Sequence, residues 1–201
     1  MVISEKHKIG FIHIPKNAGT SITAWLMATG DFTEMGRKHD TIQHVDNDLM
    51  QSLKWFAVVR NPYERLLSHY HFHCKYYNTR MQHPRLASKE KYYTRHQQMQ
   101  KGFEHYCLSP YQIAHRDPMW YDDRYCPQVV WINDSVHLLR FEKLHKDFGW
   151  VQDRVGCDSP LPSINGTPED NVNYRKHYTQ KIRDVADQHF KADLDRLGYE
   201  W

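Results

Sequence analysis

Glycine is scarce in this chain, nine among 201 residues, about two-thirds of the ordinary share of roughly 7%. Taken alone, that scarcity argues against a glycine-rich phosphate-binding loop. Cysteine is thin as well. Cys74, Cys107, Cys126 and Cys157 include no C-x-x-C pair, which removes the usual spacing of a zinc ribbon or a thioredoxin-like motif and leaves them to be read as reduced thiols. No uninterrupted apolar run is longer than Trp55-Phe-Ala-Val-Val59, whereas a bilayer-spanning helix needs about 20 such residues. Residues 1–8 carry neither the apolar stretch nor the small-residue cleavage site of a secretory signal. A cytoplasmic location is the expectation.

What is present belongs to an ordinary globular protein. Apolar residues make up 40% and charged residues 25%, with a mean hydropathy of -0.82, a balance that excludes disorder and fibrous repeats. At about 150 residues per domain the length predicts one domain, 1–201, with a sizeable insertion. Histidine is abundant, at fifteen, and the formal net charge of +3 is unevenly placed. Between Lys75 and Lys101 seven Lys/Arg face one acid, so the remainder of the chain is mildly acidic.

Lys8-Ile-Gly-Phe-Ile-His-Ile14, stopped by Pro15, has the apolar, β-branched character of a buried strand. The helical spacing of Ile22, Trp25 and Leu26 follows it. A second helix is expected from Asp40 as N-cap, with Gln43 three residues on and Ile42, Val45 and Leu49 on one face. Trp55 to Val59 is another buried strand, and a helix begun by Pro62 is predicted over Tyr63 to about Tyr77. The stretch 78–122 reads as an irregular, basic and aromatic insertion packed on the same domain. A helical pattern over 123–132 leads to a third strand, Val136-His-Leu-Leu-Arg-Phe141, and then to an amphipathic Leu144, Phe148, Val151 stretch. Residues 156–168 read as a surface loop. The last helix, from about Thr179, is expected to bury Ile182, Val185, Ala186, His189, Phe190, Leu194 and Leu197 and to end at Gly198. Strands alternating with helices predict an α/β fold, a mainly parallel central sheet with helices on both faces.

Two constellations carry chemistry. In Pro15-Lys-Asn-Ala-Gly-Thr-Ser21 a loop leaves a strand and enters a helix at two hydroxyl residues. Backbone N–H groups, the helix N-terminus, Lys16 and the hydroxyls can surround an anion there, with Gly19 allowing close backbone approach. The plain alternative is a capped strand-to-helix turn. A Walker A loop is excluded, because its lysine follows the last glycine and this one precedes it by three residues. The second constellation is Val58-Val-Arg-Asn-Pro-Tyr-Glu-Arg-Leu-Leu-Ser68. Arg60 stands at the carboxyl end of a strand, the edge where open α/β sheets bind ligands, and Ser68 lies on the helix that follows.

As a pair, these motifs resemble the sulfotransferase family that includes the carbohydrate sulfotransferases. Pro127-Gln128, Leu139-Arg-Phe-Glu-Lys-Leu144, the loop 161–167 and Asp193-Leu-Asp-Arg-Leu-Gly-Tyr199 are similar to later segments of that family. The resemblance implies a P-loop-like three-layer fold and the donor 3′-phosphoadenosine 5′-phosphosulfate (PAPS). Carried over by residue, Pro15, Lys16, Asn17, Ala18, Gly19, Thr20 and Ser21 would hold the 5′-phosphosulfate, and Arg60 and Ser68 the 3′-phosphate. The product would be 3′-phosphoadenosine 5′-phosphate. Lys16 would neutralise the departing oxygen, with no metal required. His39, ahead of the expected helix and between the two motifs, is the candidate general base; His44 and a carboxylate are alternatives.

The other histidines are explained more simply. His13 reads as a hydrogen-bonded core residue, and in His69-Tyr-His-Phe-His-Cys74 only His69 and His73 share a helical face, too few for a metal site. In the insertion, Lys89, Lys91, Tyr92, Tyr93 and Arg95 suggest an acceptor cleft for an anionic glycan, against the alternative of a solvated helical face. No nucleic acid is expected as a partner. Competing readings are a nucleotide-dependent phosphotransferase, revealed by magnesium-dependent ATP turnover, and a polyanion-binding module, revealed by steep salt dependence that survives Lys16→Ala.

Overall fold

The apolar runs pair at the centre of a five-stranded sheet in the computed structural model, which describes residues 1–109, 124–164 and 169–201, with 169–172 by backbone alone. In chain order the elements are β1 (Val2–Ser4), β2 (Ile9–Ile12), α1 (Gly19–Ala28), β3 (Thr33–Glu34), α2 (Asn47–Ser52), β4 (Lys54–Val59) and α3 (Pro62–Met81). They continue with α4 (Pro84–Ala87), α5 (Glu90–Gln100), α6 (Gly102–Leu108), β5 (His137–Arg140), α7 (Leu144–Asp147), α8 (Gly149–Val155) and α9 (Gln180–Leu197). Short 3₁₀ turns occupy Ile42–His44, Gln128–Trp131, Phe141–Lys143 and Glu169–His177.

The strand order is β3-β1-β2-β4-β5. The β2, β4 and β5 strands run parallel, with Phe11 opposite Phe56 and Val58 opposite Leu139. The expected mainly parallel sheet is thus mixed, because β1 and β3 extend one edge antiparallel. These two strands are three and two residues long, too short for hydrophobic period to reveal.

Side chains alternate across the sheet with period two. Phe11, Phe56 and Val58 face a core closed by Ile22, Trp25 and Leu26 of α1 and by Leu144, Phe148 and Val151. Ile12, Trp55, Ala57 and Val59 face the opposite layer, with Ile42, Val45, Trp131 and Leu197. This is the three-layer arrangement, and burial on both faces is why the central strands read as continuous apolar runs. A third cluster packs α3 against α5, α6 and α9.

Several local expectations change. The helix expected from Asp40 does not form as one unit. The Asp40 carboxylate accepts from the Arg37 amide at 2.7 Å, closing the turn behind it. Thr41 then caps the 3₁₀ turn at Ile42–His44, Val45 is extended, and Asp46 caps α2 through the Leu49 amide at 2.9 Å. Of the helical pattern over 123–132, residue 123 lies outside the described residues and only Gln128–Trp131 is helical, as a 3₁₀ turn after Pro127. A proline there has no N–H for a continuing helix.

The insertion is regular over its described part. α3 runs on to Met81, and α4, α5 and α6 follow to Leu108; residues 110–122 lie outside the described residues. Met99 and the half-buried Tyr92 seat α5 on α3, with the Tyr70 hydroxyl donating to the Met99 carbonyl at 3.3 Å. α9 begins and ends where expected, capped by Thr179 and closed by Gly198 at φ 66°. His189, expected in the core, is exposed, whereas Asp193 is completely buried. Among the described residues no helix is long and apolar enough to cross a membrane.

Candidate active site

Beyond β2 the chain must turn sharply to enter α1, and Lys16 and Ala18 take left-handed φ values of 71° and 60° to do so. Such conformations cost about 1–3 kcal/mol each in a non-glycine residue and persist only where the surroundings enforce them. Here they are enforced from three sides. Arg65 donates through Nε to the Pro15 carbonyl at 3.0 Å. Asn17 donates to the Val58 carbonyl at 2.8 Å and to the Gln128 side chain at 2.7 Å. Ser21 is tied to Ile164, whose amide donates to its hydroxyl at 3.0 Å. A bend of this kind at a helix N-terminus is a backbone cradle for an anion.

The bend opens into a cavity of about 350 Å³. Pro15, Lys16, Ala18, Gly19, Thr20, Ser21, His39, Arg60 and Ser68 all line it, so residues separated by up to 53 positions meet at one wall. Asn17 is the exception among the loop residues: its side chain is buried in the bonds just described and does not line the cavity. Lys89, Lys91, Tyr92, Tyr93 and Arg95 are not brought there either. Lys89, Lys91 and Tyr93 are exposed on the insertion, and Tyr92 packs near Arg80, whose guanidinium lies 5.6 Å from its ring centroid.

Gly19 is needed for a reason the sequence did not suggest. A Cβ there would sit 2.0 Å from the His13 ring, so the glycine admits a neighbouring side chain. His13 is buried as expected, but its Nδ1 has no hydrogen-bond partner among the described residues.

The lining is cationic. Lys16, Lys38 and Arg60 contribute to it, and among the described residues no acidic side chain does. Burial first, then the nearby Arg60 and Arg65 charges, lower the Lys16 pKa to about 8. Its ammonium rests 4.2 Å above the centre of the Phe72 ring, a cation–π contact that favours the charged form. Arg60 is nearly inaccessible; it pairs with Glu64 at 3.3 Å, reaches the Lys16 carbonyl at 3.4 Å and stacks on Phe141.

His39 donates from Nδ1 to the His13 carbonyl at 2.8 Å. A carbonyl can only accept, so the proton is on Nδ1 and Nε2 carries the lone pair. Burial lowers the His39 pKa to about 4, opposed in part by that hydrogen bond, with Lys38 lowering it further. His44, the alternative, is engaged with Thr41 and does not line the cavity. His69 and His73 sit against one Tyr106 hydroxyl, at 3.0 and 3.2 Å. Among the described residues no three His, Cys, Asp or Glu side chains converge as metal ligands.

Sequence reasoning missed Lys38, Phe72 and the loop Leu161 to Ile164 as lining residues. It also missed the support behind them. The fully buried Gln128 accepts from Asn17 and from the Arg60 amide, and donates to the Arg60 carbonyl and to Asp193. One signal was available: Asp193 shares the apolar face of α9 with Ile182, Ala186, Phe190 and Leu197, where an acid is expensive unless bonded.

No match is found among curated proteins or among solved structures. The model of the Sulfotransferase family matches residues 1–199. With that match spanning nearly the whole chain, and the bend after β2 and Arg60 after β4 joined in one cationic cavity, the chain belongs to the sulfotransferase family.

Proposed function

We propose that this transferase moves the sulfuryl group of 3′-phosphoadenosine 5′-phosphosulfate to a hydroxyl or amine acceptor, with a carbohydrate as the acceptor class. The observation that carries the reading is the single cavity in which Lys16, His39, Arg60 and Ser68 meet, at the strand ends where open α/β sheets bind ligands. The Lys16, Lys38 and Arg60 charges in its lining suit a donor bearing several negative charges, and the left-handed bend at the α1 N-terminus suits a phosphate.

The donor brings an activated sulfur–oxygen bond. The loop 15–21 holds its 5′ end through the backbone amides that follow Pro15 and the Thr20 and Ser21 hydroxyls, and Arg60 and Ser68 hold the 3′-phosphate. His39 Nε2 accepts the proton of the attacking hydroxyl as the new oxygen–sulfur bond forms. Lys16 stabilises the negative charge that collects on the bridging oxygen as the old bond breaks, an interaction stronger in the transition state than before it. The cationic side chains and backbone amides take the part that magnesium plays in phosphoryl transfer.

The test is labelled-sulfate transfer from the donor to a panel of glycans, small alcohols, phenols and amines, with nucleotide binding measured in parallel. Arg60→Ala is expected to weaken 3′,5′-bisphosphorylated adenosine far more than the 5′-monophosphate. Equal losses would overturn the assignment of Arg60, and absence of both transfer and donor binding would overturn the function.

A pH profile gives a second check. His39 must be neutral, which holds above about 4, and Lys16 must be charged, which holds below about 8. The kcat/KM of the free enzyme is therefore expected to plateau between those limits and to fall on both sides. A donor bearing negative charge raises both values, so the limbs of kcat are expected to lie at higher pH.

A further inference from the structure

One buried imidazole in the cavity wall takes no part in the chemistry assigned to Lys16, His39, Arg60 and Ser68. His69 lines the cavity beside Ser68 and Phe72 and is 2% exposed. Its Nδ1 lies 3.0 Å from the Tyr106 hydroxyl of α6. The same hydroxyl lies 3.2 Å from His73 Nδ1, so two imidazoles one helical turn apart share one phenol. His69 Nε2 has no hydrogen-bond partner among the described residues. With Nδ1 turned to Tyr106, it is the nitrogen left for a ligand.

A hydroxyl carries one proton and can donate to only one of the two rings, so the other ring must donate to it. Burial first, then the positive charges of His73, Arg65, Lys16 and Arg124, hold the His69 pKa well below its ordinary value, and the neutral ring bears a single N–H. Where Tyr106 donates to Nδ1, that N–H is on Nε2. Where His69 donates to Tyr106, Nε2 carries a lone pair, which an anion repels. Arg124, 5.2 Å from the centre of the Tyr106 ring, draws electron density from the phenol and favours its donation. An anion in the cavity favours the same arrangement.

The stripes of α3 decide which part of an anion His69 meets, because residues four apart share a helical face. Ser68 follows Glu64, the ion-pair partner of Arg60. His69 follows Arg65, whose Nε donates to the Pro15 carbonyl, and precedes Phe72, whose ring carries the Lys16 ammonium. His69 therefore stands on the side of the loop 15–21, and Ser68 on the side of Arg60.

We propose that His69 is a further donor-binding residue, its Nε2–H donating to a non-bridging oxygen of the sulfuryl group, with Tyr106 and His73 as positioning residues that hold this tautomer. The inference rests on the sulfotransferase reading of the cavity. The hydrogen bonds point one way, from His73 Nδ1 to the Tyr106 oxygen and from the Tyr106 hydroxyl to His69 Nδ1. His69 keeps its proton and makes no bond to sulfur. The insertion thereby reaches the reacting group through α6, by orienting an N–H.

The experiment is calorimetric binding of PAPS and of 3′-phosphoadenosine 5′-phosphate, which lacks the sulfuryl group, with no acceptor present. His69→Asn puts its amide where Nδ1 stood, keeping a partner for Tyr106 and losing the donor at Nε2, whereas His69→Gln puts its amide near Nε2 and keeps that donor. His69→Asn is expected to raise the PAPS Kd about 10–100-fold, the value of a hydrogen bond to a charged group, and the Kd of the bisphosphate less than about threefold. His69→Gln is expected to recover most of the lost affinity. Tyr106→Phe is expected to weaken PAPS by about two- to tenfold. In the wild type with PAPS bound, NMR of labelled histidine nitrogens is expected to show Nε2 of His69 protonated. Equal losses for the two nucleotides in His69→Asn, equal losses in the Asn and Gln variants, an unchanged PAPS Kd in His69→Asn or in Tyr106→Phe, or a lone pair on Nε2 in the complex would each overturn the proposal. Failure of the wild type to bind either nucleotide would instead overturn the reading beneath it.

Discussion

Lys16→Ala is expected to lower kcat for sulfuryl transfer by about 10²–10³-fold, the usual cost of losing one preorganised group that stabilises a developing oxyanion. The size follows from where the ammonium sits. It is held half-buried over Phe72, and among the described residues no carboxylate lines the pocket to neutralise it, so it is partly desolvated and its field is weakly screened. Other cations are close by, but Arg60 is engaged by Glu64 and stacked on Phe141, and Lys38 lies exposed at the edge of the cavity. Lys16→Arg keeps the charge but not the compact ammonium, and an intermediate rate is expected. Single-turnover transfer separates the chemical step from donor affinity. A chemical rate within tenfold of the wild type for Lys16→Ala would refute the role given to this residue.

The second large effect falls on stability. Asp193→Ala is expected to destabilise the fold by about 1–4 kcal/mol, because it strands one buried donor, at about 1–3 kcal/mol, and one half-buried donor that costs less. Those donors are the Val129 amide, 3.0 Å from the carboxylate, and Gln128 Nε2, 3.1 Å from it. Compared with a total stability of about 5–15 kcal/mol, that is a large fraction. The loss should reach the active site, since Gln128 also positions Asn17 and both backbone groups of Arg60. Denaturant unfolding gives the stability change, and nucleotide affinity of the surviving folded fraction gives the second effect. A midpoint within experimental error of the wild type would show that the network contributes nothing.

Much of this site was readable from short stretches. The strand ending near Pro15, the loop into α1 and the helix opening at Pro62 obey local rules: an apolar run, a proline that stops it, a turn, a capped start. Asn61 illustrates how local those rules are, for its side chain accepts from the amides of Tyr63 and Glu64 just ahead of it. The helix expected from Asp40 shows the limit. Asp40 satisfies the residue preference of an N-cap, yet its carboxylate is used by Arg37 behind it, a choice between two nearby amides that residue type does not decide. The insertion was misjudged for a different reason. Its helices carry mostly polar residues, and α5 buries only Met99 fully, leaving hydrophobic period little to report.

The sequence by itself determined the order of strands and helices at the centre of the fold, the loop of residues 15–21, and the pairing of that loop with Arg60. These depend on neighbours within a few positions, or on a two-part motif whose spacing is legible along the chain. Tertiary structure decided the rest. It alone turned Asn17 inward, set Gly19 against the His13 ring, fixed the His39 proton on Nδ1, and joined Gln128 to Asp193 across 65 positions. Apart from the Gly19–His13 approach across one turn, each of these is a contact between distant segments whose direction is set by packing, and no local pattern encodes where a buried polar atom will find its partner.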